Sequence, residues 1–101
     1  MLQWGTMWYD KGKVLQPHIH KYIDRNVTHP TQEFLYIIEG SIEATFYTRR
    51  KYIVDKKILR AGGFVCLYDG GHGFVVLEDN TRFIEVKHGA FISVEKDKEK
   101  F

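Results

Sequence analysis

The sequence predicts a single all-β domain, a sandwich or barrel of short antiparallel strands. Strand-like segments recur near residues 2–9, 13–20, 32–39, 41–48, 52–60, 63–68, 72–78 and 81–88. No window carries apolar residues at three-and-four spacing behind a plausible N-cap, so helices are not expected. Many short strands separated by turn signals are typical of β-sandwiches and barrels.

Turn chemistry marks most of the joins between these strands. The glycine, asparagine and aspartate residues that permit tight connections lie at 39–40, 61–63, 69–71 and 79–80. The longest connection, roughly 21–31, contains Arg25 and His29 and joins two segments with candidate ligands. Connections of that length are often functional.

A chain of 101 residues suits one domain, with a core expected over about 2–94 and a charged, solvated tail at 95–101. The longest apolar run, Phe34 to Ile38, is far too short to cross a membrane. The net charge of +2 gives no reason to expect nucleic acid. Cys66 is the only cysteine, which excludes an intrachain disulfide, and we expect it to be buried. We therefore expect a cytoplasmic protein with no membrane or nucleic-acid partner.

The run Phe34 to Ile38 places large apolar side chains on both faces of one strand. One face can meet the interior of the domain, and the other needs a second cover. We expect a partner subunit there and hence a homodimer. The alternative is that the N-terminal strand, with Trp4 and Trp8, covers this face within one chain.

Histidines form the first candidate site. His18 and His20 flank Ile19 in an extended segment, so their side chains are expected on one face, about 7 Å apart along the strand. Imidazole pairs of this kind can converge on one metal ion. His88 shares its parity with Ile84 and Val86, which we expect to face the core.

The wider spacing of glycines, histidines and a glutamate resembles the two motifs of the cupin superfamily. The residues that carry the first motif are Gly12, His18, His20, Glu33 and Gly40. A degenerate second motif runs from Gly63 to His72, and the stretch Gly-Gly-His-Gly-Phe at 70–74 is similar to that of small single-domain metal-binding cupins. The resemblance covers roughly residues 12–89.

The resemblance implies a double-stranded β-helix, or jelly-roll, cupin barrel with a divalent metal ion inside. The ligands it implies are His18, His20, Glu33 and His72. Zn, Mn, Fe, Co and Ni all suit such a set. His29 is an alternative to Glu33, because it lies four residues before the glutamate and restores a short histidine-to-glutamate spacing.

A small barrel of this kind holds only a compact ligand, so we expect a small polar molecule such as a sugar or a keto acid. The commonest cupin chemistries imply an isomerase or an oxygenase. The alternative is a non-catalytic cupin that binds or senses a small molecule. In a third interpretation, the histidines hydrogen-bond across the barrel mouth without metal.

Overall fold

The computed structural model describes residues 2–20, 32–88 and 98–101. The regular secondary structure in these residues consists of β-strands, and they contain no helix. The strands are β1 Leu2–Tyr9, β2 Val14–His20, β3 Glu33–Glu39, β4 Ser41–Tyr47, β5 Ile53–Arg60, β6 Phe64–Leu67, β7 Gly71–Val76, β8 Thr81–His88 and β9 Lys98–Lys100. The eight predicted strands are therefore present, most within one or two residues of the expected ends. The structure adds a ninth, β9.

The strands form two antiparallel sheets, in the orders β1-β8-β3-β6 and β5-β4-β7-β2-β9. Side chains from both sheets meet in one buried core. Its members are Leu35, Ile37, Ile42, Ala44, Leu67, Phe74, Val76 and Phe83. Two antiparallel sheets that close over a shared core constitute the jelly-roll fold expected from the sequence.

The predicted turns are found where left-handed backbone is needed. Gly40, Gly62 and Gly70 have φ angles of 82°, 88° and 84°, and Asn80 has a φ angle of 57°. A side chain at Gly40 would also collide with Thr81 across the turn between β3 and β4. These positions accept glycine or asparagine at little steric cost, which explains why their signals in the sequence are reliable.

The end of the chain differs from the prediction of a frayed, solvated tail. Lys98–Lys100 pairs with β2, and the Phe101 backbone N–H donates to the Pro17 carbonyl oxygen at 2.9 Å. The Phe101 ring lies edge-on to Tyr47, with 4.9 Å between ring centroids. This aromatic contact helps hold the charged segment against the domain, although the many charged residues of the segment predict a solvated end.

The outer face of the β1-β8-β3-β6 sheet is apolar and exposed. Cross-strand neighbours place Trp4, Val86, Phe34 and Cys66 in one row and Thr6, Ile84, Tyr36 and Phe64 in the next. The alternative in which the N-terminal strand covers Phe34 to Ile38 is wrong, because β1 joins the same sheet and leaves Trp4 73% exposed. Cys66 is exposed on this face rather than buried.

The same register corrects the orientation expected for β8. Phe83 is in the core, so Glu85 and Lys87 point inward with it, whereas Ile84 and Val86 belong to the outer face.

Within the described residues no helix has the length and apolar character needed to span a membrane.

Candidate metal centre

Polar side chains gather at one end of the space between the sheets. Along β3, buried Glu33 is followed on the same face by Leu35 and Ile37. Along β7, buried His72 is followed by Phe74 and Val76. Because each strand carries its ionisable residue at the same end, the interior has a polar mouth and an apolar floor.

A bulge in β2 turns His18 into this mouth. Leu15 lies opposite Phe74, but His18 lies opposite His72, so three steps along β2 match two along β7. An extra residue reverses the side-chain parity of everything beyond it. His18 therefore shares the inner face with Leu15, although an unbulged strand would have put them on opposite faces.

Pro17 and Gly73 show why the bulge forms here. Proline has no backbone N–H and is tolerated within sheets at edges and bulges. A Cβ atom on Gly73 would lie 2.8 Å from Pro17 Cγ and 3.0 Å from Pro17 Cα. The absence of a side chain at position 73 is what lets β2 approach β7 so closely.

Three donor side chains meet at the mouth. One ligand atom from each of His18, Glu33 and His72 can be chosen so that all lie within 4.8 Å of one another. The His72 Nε2 atom is 3.5 Å from Glu33 Oε2, and the two imidazole rings have centroids 4.4 Å apart at 69°. His18 Nε2, Glu33 Oε1 and His72 Nε2 are all shielded from solvent.

The tautomer of His18 is suited to metal binding. Its Nδ1 atom lies 3.2 Å from the Gln16 carbonyl oxygen. A carbonyl oxygen only accepts hydrogen bonds, so Nδ1 carries a proton, and in the neutral ring that binds metal the lone pair is then on Nε2. Gln16 belongs to the bulged segment, which thus orients the imidazole ring as well as placing it.

The residues fit a divalent metal ion. Donors bonded to one ion at about 2.0–2.2 Å can be no more than roughly 4.4 Å apart. The donor atoms lie within 4.8 Å of one another, so a shift of a few tenths of an ångström brings them within reach of one ion. Two imidazoles and one carboxylate suit Zn, Fe, Mn, Co and Ni alike, so the ligand set does not single out one of these metals.

A cavity of about 170 Å³ extends from two of these residues, His18 and Glu33, toward the core. Its lining is Met7, Tyr9, Leu15, His18, Glu33, Phe74, Phe83 and Glu85. Most of these side chains are apolar or aromatic, and the imidazole and carboxylate groups among them are those of His18, Glu33 and Glu85. The cavity can therefore admit a compact molecule with one polar end beside them.

Glu85 and Lys87 are the site residues that sequence reasoning missed. Glu85 lines the cavity with His18 and Glu33, and Lys87 is directly opposite Glu33 across β3 and β8. The Lys87 Nζ atom is 3.6 Å from Glu85 Oε1, and the two side chains are only 16% and 19% exposed. Had Phe83 been assigned to the core instead of Ile84, the alternation of the strand would have placed Glu85 and Lys87 on the same inward face.

Two candidate ligands named from the sequence cannot be placed relative to this cluster, because they fall outside what the structure describes. His20 ends β2, but its side chain lies outside the described residues. His29 lies outside them entirely. The structure therefore brings together His18, Glu33 and His72 from the predicted set and leaves the choice between Glu33 and His29 to experiment.

Comparison with solved structures identifies the fold. A Bacillus subtilis oxalate decarboxylase superposes with a TM-score of 0.74 at 20% identity, over 99% of this chain and 24% of its own. KdgF from Halomonas sp. gives a TM-score of 0.67 at 23% identity, over 85% of this chain and 68% of its own. The coconut allergen cocosin gives 0.68 at 13% identity, over 85% of this chain and 21% of its own.

The chain thus spans about a quarter of the decarboxylase and about two thirds of KdgF. The sequence matches no protein-family model, and comparison with curated proteins gives no match either. The likeness is therefore one of three-dimensional fold. The chain has the cupin fold.

Proposed function

We propose that this protein binds a divalent metal ion through His18, Glu33 and His72 and uses the adjoining cavity for a small polar molecule. The observation that carries the proposal is the convergence of three donors from β2, β3 and β7 on one point. These strands belong to different sheets, so the cluster is a product of the tertiary fold. His20 is proposed as a fourth ligand, since it follows His18 by two positions on β2.

Comparisons are consistent with this proposal. One similar structure concerns the Mn(II) centres of Bacillus subtilis oxalate decarboxylase, with a TM-score of 0.71 at 20% identity. The cocosin likeness shows that the same fold also occurs in a protein described as an allergen. Because fold alone does not decide chemistry, the donor cluster of this chain is the stronger argument.

The expected substrates are sugars or keto acids, and the expected reaction is an isomerisation or an oxygenation. A bound divalent ion would supply a Lewis-acid centre with open coordination positions. His18, held by Gln16, would keep its tautomer throughout. The apolar floor around Phe74 and Phe83 would exclude water from the ligand. A non-catalytic role would use the same residues, and assays of turnover separate the two.

The test of metal binding is the metal content of purified protein together with its melting temperature. Reloading with Zn, Mn, Fe, Co or Ni should give one ion per chain, and a chelator should lower the melting temperature. At about 100 times the dissociation constant, a ligand bound by the native state alone adds about 2.7 kcal/mol. That corresponds to several degrees for a domain of this size. Protein that takes up no stoichiometric metal would rule out the proposal.

We also propose that the protein is a homodimer joined through the outer face of the β1-β8-β3-β6 sheet. Trp4, Trp8 and Phe64 expose 73%, 63% and 61% of their surface there. At about 150–250 Å² per aromatic side chain, these rings alone present on the order of 400 Å². A monomer's largest apolar patch is typically about 300–600 Å² in all.

A second copy of the chain fits this surface by area. A standard interface buries about 800 Å² per partner, and the three rings account for roughly half. Exposed Tyr36 and Ile38 on β3 and Tyr68 after β6 add to them. Arg82, packed over Trp8 at 5.4 Å and bonded to Glu39, supplies a polar rim of the kind that surrounds apolar interfaces.

A cytoplasmic location completes the proposal. Cys66 is the only cysteine, so the fold cannot depend on an intrachain disulfide. Its thiol lies exposed on the outer face. A reducing compartment suits such a cysteine, because it prevents adventitious oxidation. Fractionation of cells that produce the protein at native levels tests this part.

A further inference from the structure

We propose that the cavity selects a small monocarboxylate, and that Glu85 and Lys87 set this preference. The inference rests on the proposed metal site and names the class of molecule that site takes. Its starting point is the ion pair on β8, where Lys87 Nζ is 3.6 Å from Glu85 Oε1 and both side chains are largely buried. Neither residue belongs to the donor cluster of His18, Glu33 and His72.

The pair is a poor device for stability alone. Removing two charges from water costs several kcal/mol, and well-packed apolar residues in their place are often neutral or stabilising. Phe83, the preceding inward residue on the same strand, is such an apolar residue and lies in the core. Along the inward face of β8, the phenyl ring of Phe83 is thus followed by an ion pair at the point where the strand reaches the polar mouth. This position indicates that the pair acts on what binds at the mouth.

Position connects the pair to the donor cluster. Glu85 lines the 170 Å³ cavity together with His18 and Glu33. Lys87 faces Glu33 directly across the strand pair. Glu33 and Lys87 also line a second, open depression of about 200 Å³, whose other walls include Phe34, Cys66 and Val86 of the outer face. A ligand that enters beside Glu33 therefore meets the carboxylate of Glu85 in the cavity wall, and the ammonium group of Lys87 lies 3.6 Å from that carboxylate on the same strand.

The sign of the ligand follows from the charges of these groups. A divalent ion and Lys87 bring three positive charges, Glu33 and Glu85 bring two negative charges, and imidazoles bind metal in their neutral form. Among the described residues at the mouth, the balance is one positive charge. A monoanion neutralises it, whereas a neutral molecule leaves a net charge in a partly desolvated cavity, where charge is costly.

The size of the cavity completes the description. Pockets for drug-sized ligands are about 300–1,000 Å³, and this cavity is smaller, at about 170 Å³. A carboxylate with a short carbon chain fits it, with the charged end at the mouth and the chain toward Leu15, Phe74 and Phe83. Within the expected substrates, these features favour small acids such as keto acids over neutral sugars.

Binding of pyruvate and of its neutral analogue pyruvamide to zinc-loaded protein tests the proposal by calorimetry. Pyruvate should bind more tightly than pyruvamide. Because a hydrogen bond to a charged group is worth a factor of about ten to a hundred in affinity, Lys87→Met should weaken pyruvate by about that factor. Pyruvamide should change by less than about twofold on the same scale. Equal binding of the two probes, or an unchanged preference in Lys87→Met, would overturn the proposal.

The chain offers a matched control on β5. Lys57 Nζ is also 3.6 Å from a carboxylate two residues away, that of Asp55, but these side chains are 64% and 53% exposed. Lys57→Met removes the same charge from the protein and should leave both affinities unchanged. A loss equal to that of Lys87→Met would attribute the effect to overall charge and refute the role of the site.

Glu85→Gln keeps the proposal testable if Lys87→Met fails to fold. Removing this carboxylate raises the net charge of the mouth by one, so pyruvate should bind more tightly and the dianion malonate should bind as well. Weaker pyruvate binding in this variant would contradict the charge argument. Metal content measured on each sample separates the two proposals: stoichiometric zinc without a preference for pyruvate refutes only this inference, and absence of zinc refutes the metal site on which it rests.

Discussion

His18 and His72 face each other directly across β2 and β7, with ring centroids 4.4 Å apart. The residues next to these histidines also pack between the two strands. Ile19, which follows His18, is buried beside Gly71, and Gly73, which follows His72, packs against Pro17. The imidazoles are therefore held by backbone geometry rather than by flexible loops. Rigid placement of this kind lowers the entropy cost of binding an ion.

We expect His18→Ala and His72→Ala each to abolish the metal-dependent part of the melting temperature. The reason is that two imidazoles supply most of the described donor atoms, and one imidazole with one carboxylate binds divalent ions far more weakly. The measurement is the difference in melting temperature with and without chelator, taken within each variant. This difference is insensitive to any loss of stability that the substitution causes in the metal-free protein. A chelator shift that persists in both variants would contradict the prediction.

Glu33→Gln should lower metal affinity by more than about tenfold, because the amide lacks the negative charge that attracts the cation. Competition with a chromogenic chelator measures the change. Glu43→Gln, on β4 between the core residues Ile42 and Ala44, is the control and should bind as the unmodified protein does. If Glu33→Gln binds metal normally, the carboxylate assignment is wrong and His29→Ala becomes the next variant to measure.

The homodimer should dissociate when a charge is placed in the outer face. Phe64→Glu inserts a carboxylate beside Phe34, whose ring centroid lies 5.7 Å from that of Phe64. Burying an unpaired charge in an apolar interface is strongly unfavourable, so light scattering at micromolar concentration should give the mass of a monomer. Val54→Glu, on β5 at a similar exposure of 65%, should remain dimeric. A monomeric parent protein, or a dimeric Phe64→Glu, would refute the proposed interface.

Strand positions and turns could be predicted because their signals are local. Gly40, Gly62 and Gly70 occupy left-handed backbone that other residues enter only with strain. These features depend on residues close in sequence, and tertiary contacts do not override them.

The orientation of β8 could not be predicted from alternation. Ile84 and Val86 are apolar, so the pattern predicts that they face the core and that Glu85 and Lys87 face water. The structure has the opposite orientation because the outer face of this sheet is itself apolar, from Trp4 to Phe64. Hydropathy distinguishes inside from outside only where one of the two faces is polar.

The bulge in β2 was equally hidden, although Pro17 marks it. Read as a regular strand, the segment gives His18 a different face from Leu15, and only pairing with β7 shows that they share one. A register shift of one residue is set by the neighbouring strand, which lies more than fifty residues away in the sequence. The three clustered residues were therefore among the ligands predicted from the sequence, whereas the bulge that brings them together was not predicted.

Gly73→Ala should push the bulge of β2 away from β7 and so weaken metal binding. Position 73 itself supplies no ligand atom, so the effect would be indirect. The added Cβ would lie 2.8–3.0 Å from Pro17, closer than such contacts normally allow, so β2 must move. Overpacking of this kind costs about 1–3 kcal/mol, and the movement also displaces the Gln16 carbonyl that orients His18.

The measurements for this variant are thermal unfolding and zinc affinity, and both should fall. Gly5→Ala is the matched control: it lies within β1, and an added Cβ would meet only Met7 Cε at 4.0 Å. That variant should keep both properties. If Gly73→Ala loses stability but binds zinc with unchanged affinity, the bulge serves packing alone and His18 is positioned by something else. A parallel loss of both would show that the close approach of β2 to β7 is what builds the metal centre.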